Sequence, residues 1–158
     1  MKKKEEAPLR LGVGIVLLND NNEVFVGKRI DNPKDFWQMP QGGVDKDENF
    51  LDAAKRELEE ETGIKNVKLI KEMEGWFTYD LPKDLLGKIW KGKYRGQKQK
   101  WFIMKFLGNN NEININTKKP EFLNWKWINP SKLPEVAINF KINIYRKISK
   151  ELSAFITN

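Results

Sequence analysis

Gly42-Gly43-Val44-Asp45-Lys46-Asp47-Glu48-Asn49-Phe50-Leu51-Asp52-Ala53-Ala54-Lys55-Arg56-Glu57-Leu58-Glu59-Glu60-Glu61-Thr62-Gly63-Ile64 is the most informative stretch of this 158-residue chain. Pro40 and the two glycines exclude regular structure over 40–43. From Asp47 to Thr62 the residues favour a helix: Asp45 or Asp47 is placed to cap it, Glu48 adds negative charge to the first turn, and Gly63 stands where a left-handed residue stops it. At about 100° per residue, Glu60 lies roughly 60° to one side of Glu57 and Glu61 roughly 40° to the other. Three carboxylates therefore share about one third of the helix circumference. Glu59 falls on the far side, and Leu51, Ala54 and Leu58 make an adjoining apolar stripe, so the helix packs while presenting its acidic face to a cleft. Like charges this close repel unless a cation neutralises them, and carboxylates with a nearby backbone carbonyl suit a divalent one. Gly42 and Gly43 let backbone approach that cation, and Glu48 with Arg56 reads as a structural ion pair. A run of glutamates ordinarily marks a solvated helix face, a reading that leaves the flanking glycines and Arg56 unexplained.

The rest of the composition narrows the chemistry. The chain has no Cys and no His, which excludes disulfides, thiol nucleophiles, imidazole bases and cysteine or histidine zinc sites. Any metal must be held by oxygen, which points to a hard cation such as Mg²⁺ or Mn²⁺. With 39% hydrophobic and 32% charged residues the balance is globular, and the length suits one domain over 1–158. No apolar run approaches about 18 residues, and Met1-Lys2-Lys3-Lys4-Glu5-Glu6 lacks the apolar stretch of a signal peptide. The expectation is a cytoplasmic protein with no membrane contact and no protein partner. The net charge is +7, distributed in two poles. Lys83 to Lys105 is basic apart from Asp84, while Asp47 to Glu61 is acidic. An anionic partner is favoured.

Outward from the acidic helix the chain alternates strand and helix signals. Gly12–Leu18 and Glu23–Lys28 are apolar runs joined by Asn19-Asp20-Asn21-Asn22, a hairpin pattern. Asp31 to Asp35 is a polar loop around Pro33. Val67–Tyr79 is extended, Leu81–Gly96 irregular, Gln97–Leu107 a strand rich in aromatics, Gly108–Lys119 a polar connection and Phe122–Ile128 another strand. Ile138, Ile142, Tyr145, Leu152 and Ile156 recur near helical spacing in a C-terminal helix. Trp101, Trp125 and Trp127 belong to the core. The order predicts a mixed α/β domain.

The spacing G-x5-E-x7-R-E-U-x-E-E-x-G-U, with U a bulky aliphatic, is met at every defined position from Gly42 to Ile64. Chance produces such a match in roughly 10⁻⁸ to 10⁻⁷ of chains this size under average residue usage, so the chain resembles the Nudix hydrolases. The resemblance implies an α/β/α sandwich with a mixed central sheet, hydrolysis of phosphoanhydride bonds, and Mg²⁺ or Mn²⁺ on Glu57, Glu60, Glu61 and the carbonyl of Gln41. Many family members carry glycine where this chain has Gln41. The resemblance extends through Arg10, Trp37-Gln38-Met39-Pro40-Gln41-Gly42-Gly43, Tyr79-Asp80-Leu81-Pro82, Gly96-Gln97-Lys98-Gln99-Lys100-Trp101-Phe102, Pro120-Glu121-Phe122 and Phe140-Lys141. Over nearly the whole chain this is similar to bacterial RNA 5′-pyrophosphohydrolases, a group overlapping dinucleoside polyphosphate hydrolases.

By that resemblance Glu121 is a further acidic group near the metals and, with Glu57, a candidate catalytic base. Arg29, Lys98 and Lys100 would face phosphates, and Arg10, Phe140 and Lys141 would hold nucleotides. Arginine and phenylalanine on opposite sides of a base would recognise a single strand. Phe140 equally suits burial. The implied substrate is 5′-phosphorylated RNA, whose triphosphate end is converted to monophosphate to initiate decay. Diadenosine tetraphosphate and related dinucleoside polyphosphates are the alternative. A non-catalytic nucleotide or RNA sensor is opposed by the intact Glu57, Glu60 and Glu61.

Overall fold

The structure is a computed structural model that describes residues 7–31 and 34–157, without the side chain of Thr157. The centre of the polar loop at Pro33, and the Met1–Glu6 segment read for a leader, lie outside the described residues.

The two central strands are β1 (Leu9–Leu18) and β6 (Gly96–Phe106), paired in parallel from Leu9 opposite Gly96 to Leu18 opposite Lys105. β1 is a near-continuous apolar run because both of its faces are covered. Val13, Ile15 and Leu17 face helix α1 (Phe50–Thr62), and Val16 and Leu18 face helix α3 (Ile142–Thr157). β2 (Val24–Arg29) turns back antiparallel to β1, and β7 (Phe122–Ile128) lies outside β2. β4 (Val67–Glu72) forms the opposite edge, giving the order β4-β6-β1-β2-β7. β5 (Phe77–Asp80) pairs with the start of β6. One parallel pair among antiparallel ones, with helices on both faces, is the mixed α/β/α sandwich.

Aromatic packing fixes the layers. On the α3 side, fully buried Trp101 meets Tyr145 edge-on at 6.4 Å, with Ile148 and Leu152 beneath. On the α1 side Phe25 stacks on Trp125 at 5.8 Å, and half-buried Trp127 stacks on Phe106 at 6.1 Å. These contacts add to area burial by about 0.5–1.5 kcal/mol each.

Several boundaries differ from expectation. Residues 41–43 are regular after all: β3 (Gln41–Gly43) pairs antiparallel with β1, Val13 opposite Gly42. Side-chain-free backbone fits where the acidic helix crowds in. Helix α1 begins at Phe50, capped by the Asn49 side chain, which accepts from the Asp52 N–H at 2.8 Å. Asp47 cannot cap it because its φ of 65° places it in a left-handed turn. The extended run to Tyr79 breaks between β4 and β5. Ile138 precedes the last helix, which follows a short helix α2 (Leu133–Val136) and a 3₁₀ turn at Asn139–Lys141. Among the described residues no helix is long and apolar enough to cross a membrane.

Candidate active site

Helix α1 sets its glutamates in three different environments. Glu61 is buried, Glu57 half-buried and Glu60 exposed. The helix stops cleanly at Gly63, whose φ of 73° is left-handed and whose N–H donates to the Glu59 carbonyl at 2.8 Å. A Cβ at Gly42 would overlap the Glu57 carboxylate, so the strand and the acidic helix approach this closely only through glycine.

Arg56 ties the preceding loop to the helix. Its Nε and Nη2 donate to the two oxygens of Glu48, both at 2.9 Å, Nη2 also reaches the Gly43 carbonyl at 2.9 Å, and Nη1 donates to Glu57 at 2.9 Å and Glu60 at 3.2 Å. The forked guanidinium thus fixes the loop and aims Glu57 at once. Hydrogen bonds from Arg56 and from the Asp45 N–H hold the Glu48 carboxyl down to about 2. A depressed carboxyl stabilises the fold above its unfolded value, about 4.3, and that contribution disappears as pH falls towards the folded value. Glu48→Gln is therefore expected to lower Tm by about 2–4 °C at pH 7, with the difference from wild type closing as pH falls from about 4.3 to 2. A gap that stays constant across that window would contradict the ion-pair account.

Burial raises the proton affinity of Glu57, and Arg56 opposes this. Burial raises Glu61 much further, helped by its neighbours Glu57 and Glu121. The Oε2 of Glu61 is buried without a hydrogen-bond partner among the described residues. An unpartnered carboxylate oxygen in that position is costly. Together with the other oxygen donors lining the cleft it fits a hard divalent cation. Among the described residues no three acidic side chains form a ready-made cage, since Arg56 engages Glu57 and Glu60.

Two cavities meet at this point. One, of about 660 Å³, is lined by Glu57, Glu60, Glu61 and Glu121 together with the cations of Arg10, Arg29, Lys118 and Lys119. The guanidinium of Arg10 lies 5.3 Å from the centre of the Trp90 ring. Arg29, Gln41 and Trp90 also border the second cavity, of about 370 Å³, whose walls include Trp37, Tyr79, Phe140 and Lys141. Both volumes are in the range of small-molecule sites. Arg29 is held by Asp31 through two bonds of 2.7 and 2.6 Å, with Glu121 3.8 Å away. Lys141 is buried, donates to the Gln38 side chain at 3.2 Å, and is pushed down to about 7 by burial and then by Arg29.

The structure brings Arg10, Arg29, Gln41, Gly42, Gly43, Glu57, Glu60, Glu61 and Glu121 to one cleft and Phe140 and Lys141 to its neighbour. Phe140 is both half-buried, 5.5 Å from the Tyr79 ring, and part of the cavity wall. Arg10 does not face it across one cavity. Lys98 and Lys100 are not brought to either. Strand alternation gives the cleft side of β6 to Gln97 and Gln99, while both lysines lie over the indole of Trp76, at 4.3 and 4.4 Å. Glu59, expected on the far face, reaches the edge of the acidic cleft, its carboxylate 3.7 Å from Lys65. Sequence reasoning missed Trp90, whose φ of 51° is unusual for a bulky residue. The one available signal was an aromatic inside an otherwise Gly- and Lys-rich stretch.

The NUDIX domain model matches residues 8–149. An RNA pyrophosphohydrolase of Pelagibacter ubique is 62% identical over 149 residues, covering 94% of each chain. An RNA pyrophosphohydrolase of Rickettsia conorii is 46% identical over 155 residues, covering 98% of this chain and 96% of that one. The fold is shared with a C. elegans Ap4A hydrolase solved as a binary complex, at a TM-score of 0.68, 21% identity, and coverage of 92% of this chain and 98% of the other. With its motif complete from Gly42 to Ile64 and its acidic helix set against β3, the chain belongs to the Nudix family.

Proposed function

We propose that this chain is a single-domain RNA 5′-pyrophosphohydrolase, removing phosphates beyond the first from triphosphorylated 5′ ends. The observation that carries the reading is a pair of adjoining cavities that share Arg29, Gln41 and Trp90 in their walls, one carboxylate-lined and suited to cation-bound phosphates, the other aromatic and suited to a nucleoside. The names of the relatives at 62% and 46% identity support the same substrate class.

Glu57, Glu60, Glu61 and the Gln41 carbonyl would hold Mg²⁺ or Mn²⁺, which when bound supplies neutralising charge for phosphate oxygens and lowers the pKa of the attacking water. Glu57 takes the proton from that water. The water oxygen bonds to phosphorus as the P–O anhydride bond breaks, and the leaving phosphate carries the bond's electron pair away. Arg56 keeps the Glu57 carboxylate aimed, a positioning role. Arg10 and Arg29 balance the charge of the phosphate chain, while Phe140 and Lys141 hold the nucleoside. Glu121 borders the same cleft and is the alternative acceptor for the proton.

Turnover of triphosphorylated RNA and of diadenosine tetraphosphate at equal Mg²⁺ tests the substrate. The expected result is a kcat/KM at least about tenfold higher for RNA, equivalent to about 1.4 kcal/mol of preferential transition-state binding. The opposite preference would make the chain a dinucleoside polyphosphate hydrolase.

A further inference from the structure

A third aromatic and basic feature adjoins the nucleoside cavity. Trp37 forms part of that cavity's wall, and its backbone N–H is pinned to the Val136 carbonyl at 2.9 Å. Lys126 Nζ lies 4.2 Å from the centre of the Trp37 ring and Lys28 Nζ 5.9 Å from it. These lysines come from paired strands: Val26 of β2 stands opposite Lys126 of β7, and Lys28 opposite Asn124. Lys28 and Lys126 are thus diagonal neighbours on one face of the sheet, the face that carries Trp37. β7 is the outermost strand on this side, and Lys126 is exposed. Among the described residues the one carboxylate paired with Lys28 is that of exposed Asp35, at 3.8 Å, and none pairs with Lys126.

We propose that Lys28 and Lys126, spaced by the Trp37 ring, form a track for the RNA chain continuing 3′ from the nucleotide in the cavity. The ammonium groups would take successive phosphodiesters, and the exposed part of the indole would offer a stacking edge. Alternating cations and an aromatic surface suit a single strand, because neither demands a particular base. The track begins at a residue already lining the nucleoside cavity, so a chain leaving that cavity meets it first. This inference rests on RNA as the substrate. The competing explanation is that an edge-strand lysine merely deters pairing with other chains. That role has no dependence on substrate length.

The test compares a triphosphorylated dinucleotide with a triphosphorylated single-stranded RNA several times longer, measuring KM across a range of salt. Wild type should show the lower KM and the steeper salt dependence with the longer RNA. Lys28→Ala/Lys126→Ala should raise KM for the longer RNA and lower its salt slope by about 1.4, or about 0.7 per lost phosphate contact on a single strand. The dinucleotide has a single phosphodiester, so its salt slope should fall by no more than about 0.7, half the loss on the longer RNA. Lys126→Gln alone, should the double variant fold poorly, should lower the slope by about 0.7, and Lys126→Arg should restore it. Lys68→Ala, at the opposite edge of the sheet, controls for net charge and should leave the slope unchanged. Equal losses on both substrates, no loss on either, or the same loss in Lys68→Ala would overturn the track. If wild type hydrolyses neither RNA but does hydrolyse diadenosine tetraphosphate, the substrate reading fails and the track falls with it.

Discussion

Glu57→Gln lowers kcat by about 10²- to 10⁴-fold at saturating Mg²⁺, the range lost when a positioned general base is removed. The substitution keeps volume and hydrogen-bonding capacity, so it separates loss of charge and basicity from loss of shape. Arg56 Nη1 can still donate to the amide oxygen, and Tm should change little. Glu59→Gln provides the comparison on the same helix. Its carboxylate stands at the edge of the cleft beside Lys65, 3.7 Å away, and its loss should cost kcat less than about tenfold. Equal damage from the two would contradict the assignment of the acidic face. The pH profile of kcat distinguishes the proton acceptors. If Glu57→Gln keeps the wild-type acidic limb and a near-normal rate while Glu121→Gln loses both, the base is Glu121.

Excess chelator abolishes turnover, and added Mg²⁺ or Mn²⁺ restores it. The reason lies in the charge already in the cleft. Glu61 is buried with one oxygen unpartnered among the described residues, and Glu57 and Glu121 both raise its proton affinity. A polyphosphate adds several more negative charges to a cleft that already holds Glu57, Glu59, Glu60, Glu61 and Glu121 against Arg10, Arg29, Lys118 and Lys119, and Asp31 already engages Arg29 by two hydrogen bonds. Zinc should not be specifically required, as the chain has neither His nor Cys. Binding to the folded state should also raise Tm with cation concentration, a readout independent of activity. Full turnover in excess chelator would remove the cation from the account.

How far the sequence carried the fold depended on how many physical constraints bore on each segment. Helix α1 was legible because period, apolar stripe and the Gly63 stop agree. Its start was not, because Asp45, Asp47 and Asn49 are all capable caps and only the backbone decides among them. The left-handed Asp47 removes one, and the Asn49 side chain takes the Asp52 N–H. A helical wheel also makes Glu57, Glu60 and Glu61 look equivalent. Their burial differs because the sheet edge, Gly42 and Arg56 meet the helix on one side. Alternation put Lys98 and Lys100 on a common face of β6, but a strand in a sandwich has two covered faces. The choice between them follows from pairing with β5 and the place of Trp76. Trp90 sat in a stretch without period, where composition gives no contact, and it emerged as the border between the two cavities.

The most direct test of the account counts phosphates on RNA 5′ ends before and after incubation with Mg²⁺, using wild type and Glu57→Gln at the same concentration. Wild type is predicted to convert triphosphate ends to monophosphate ends, releasing the remaining phosphates, while Glu57→Gln leaves the ends triphosphorylated over the same interval. Triphosphate ends left intact by wild type, or removed equally by Glu57→Gln, would contradict it.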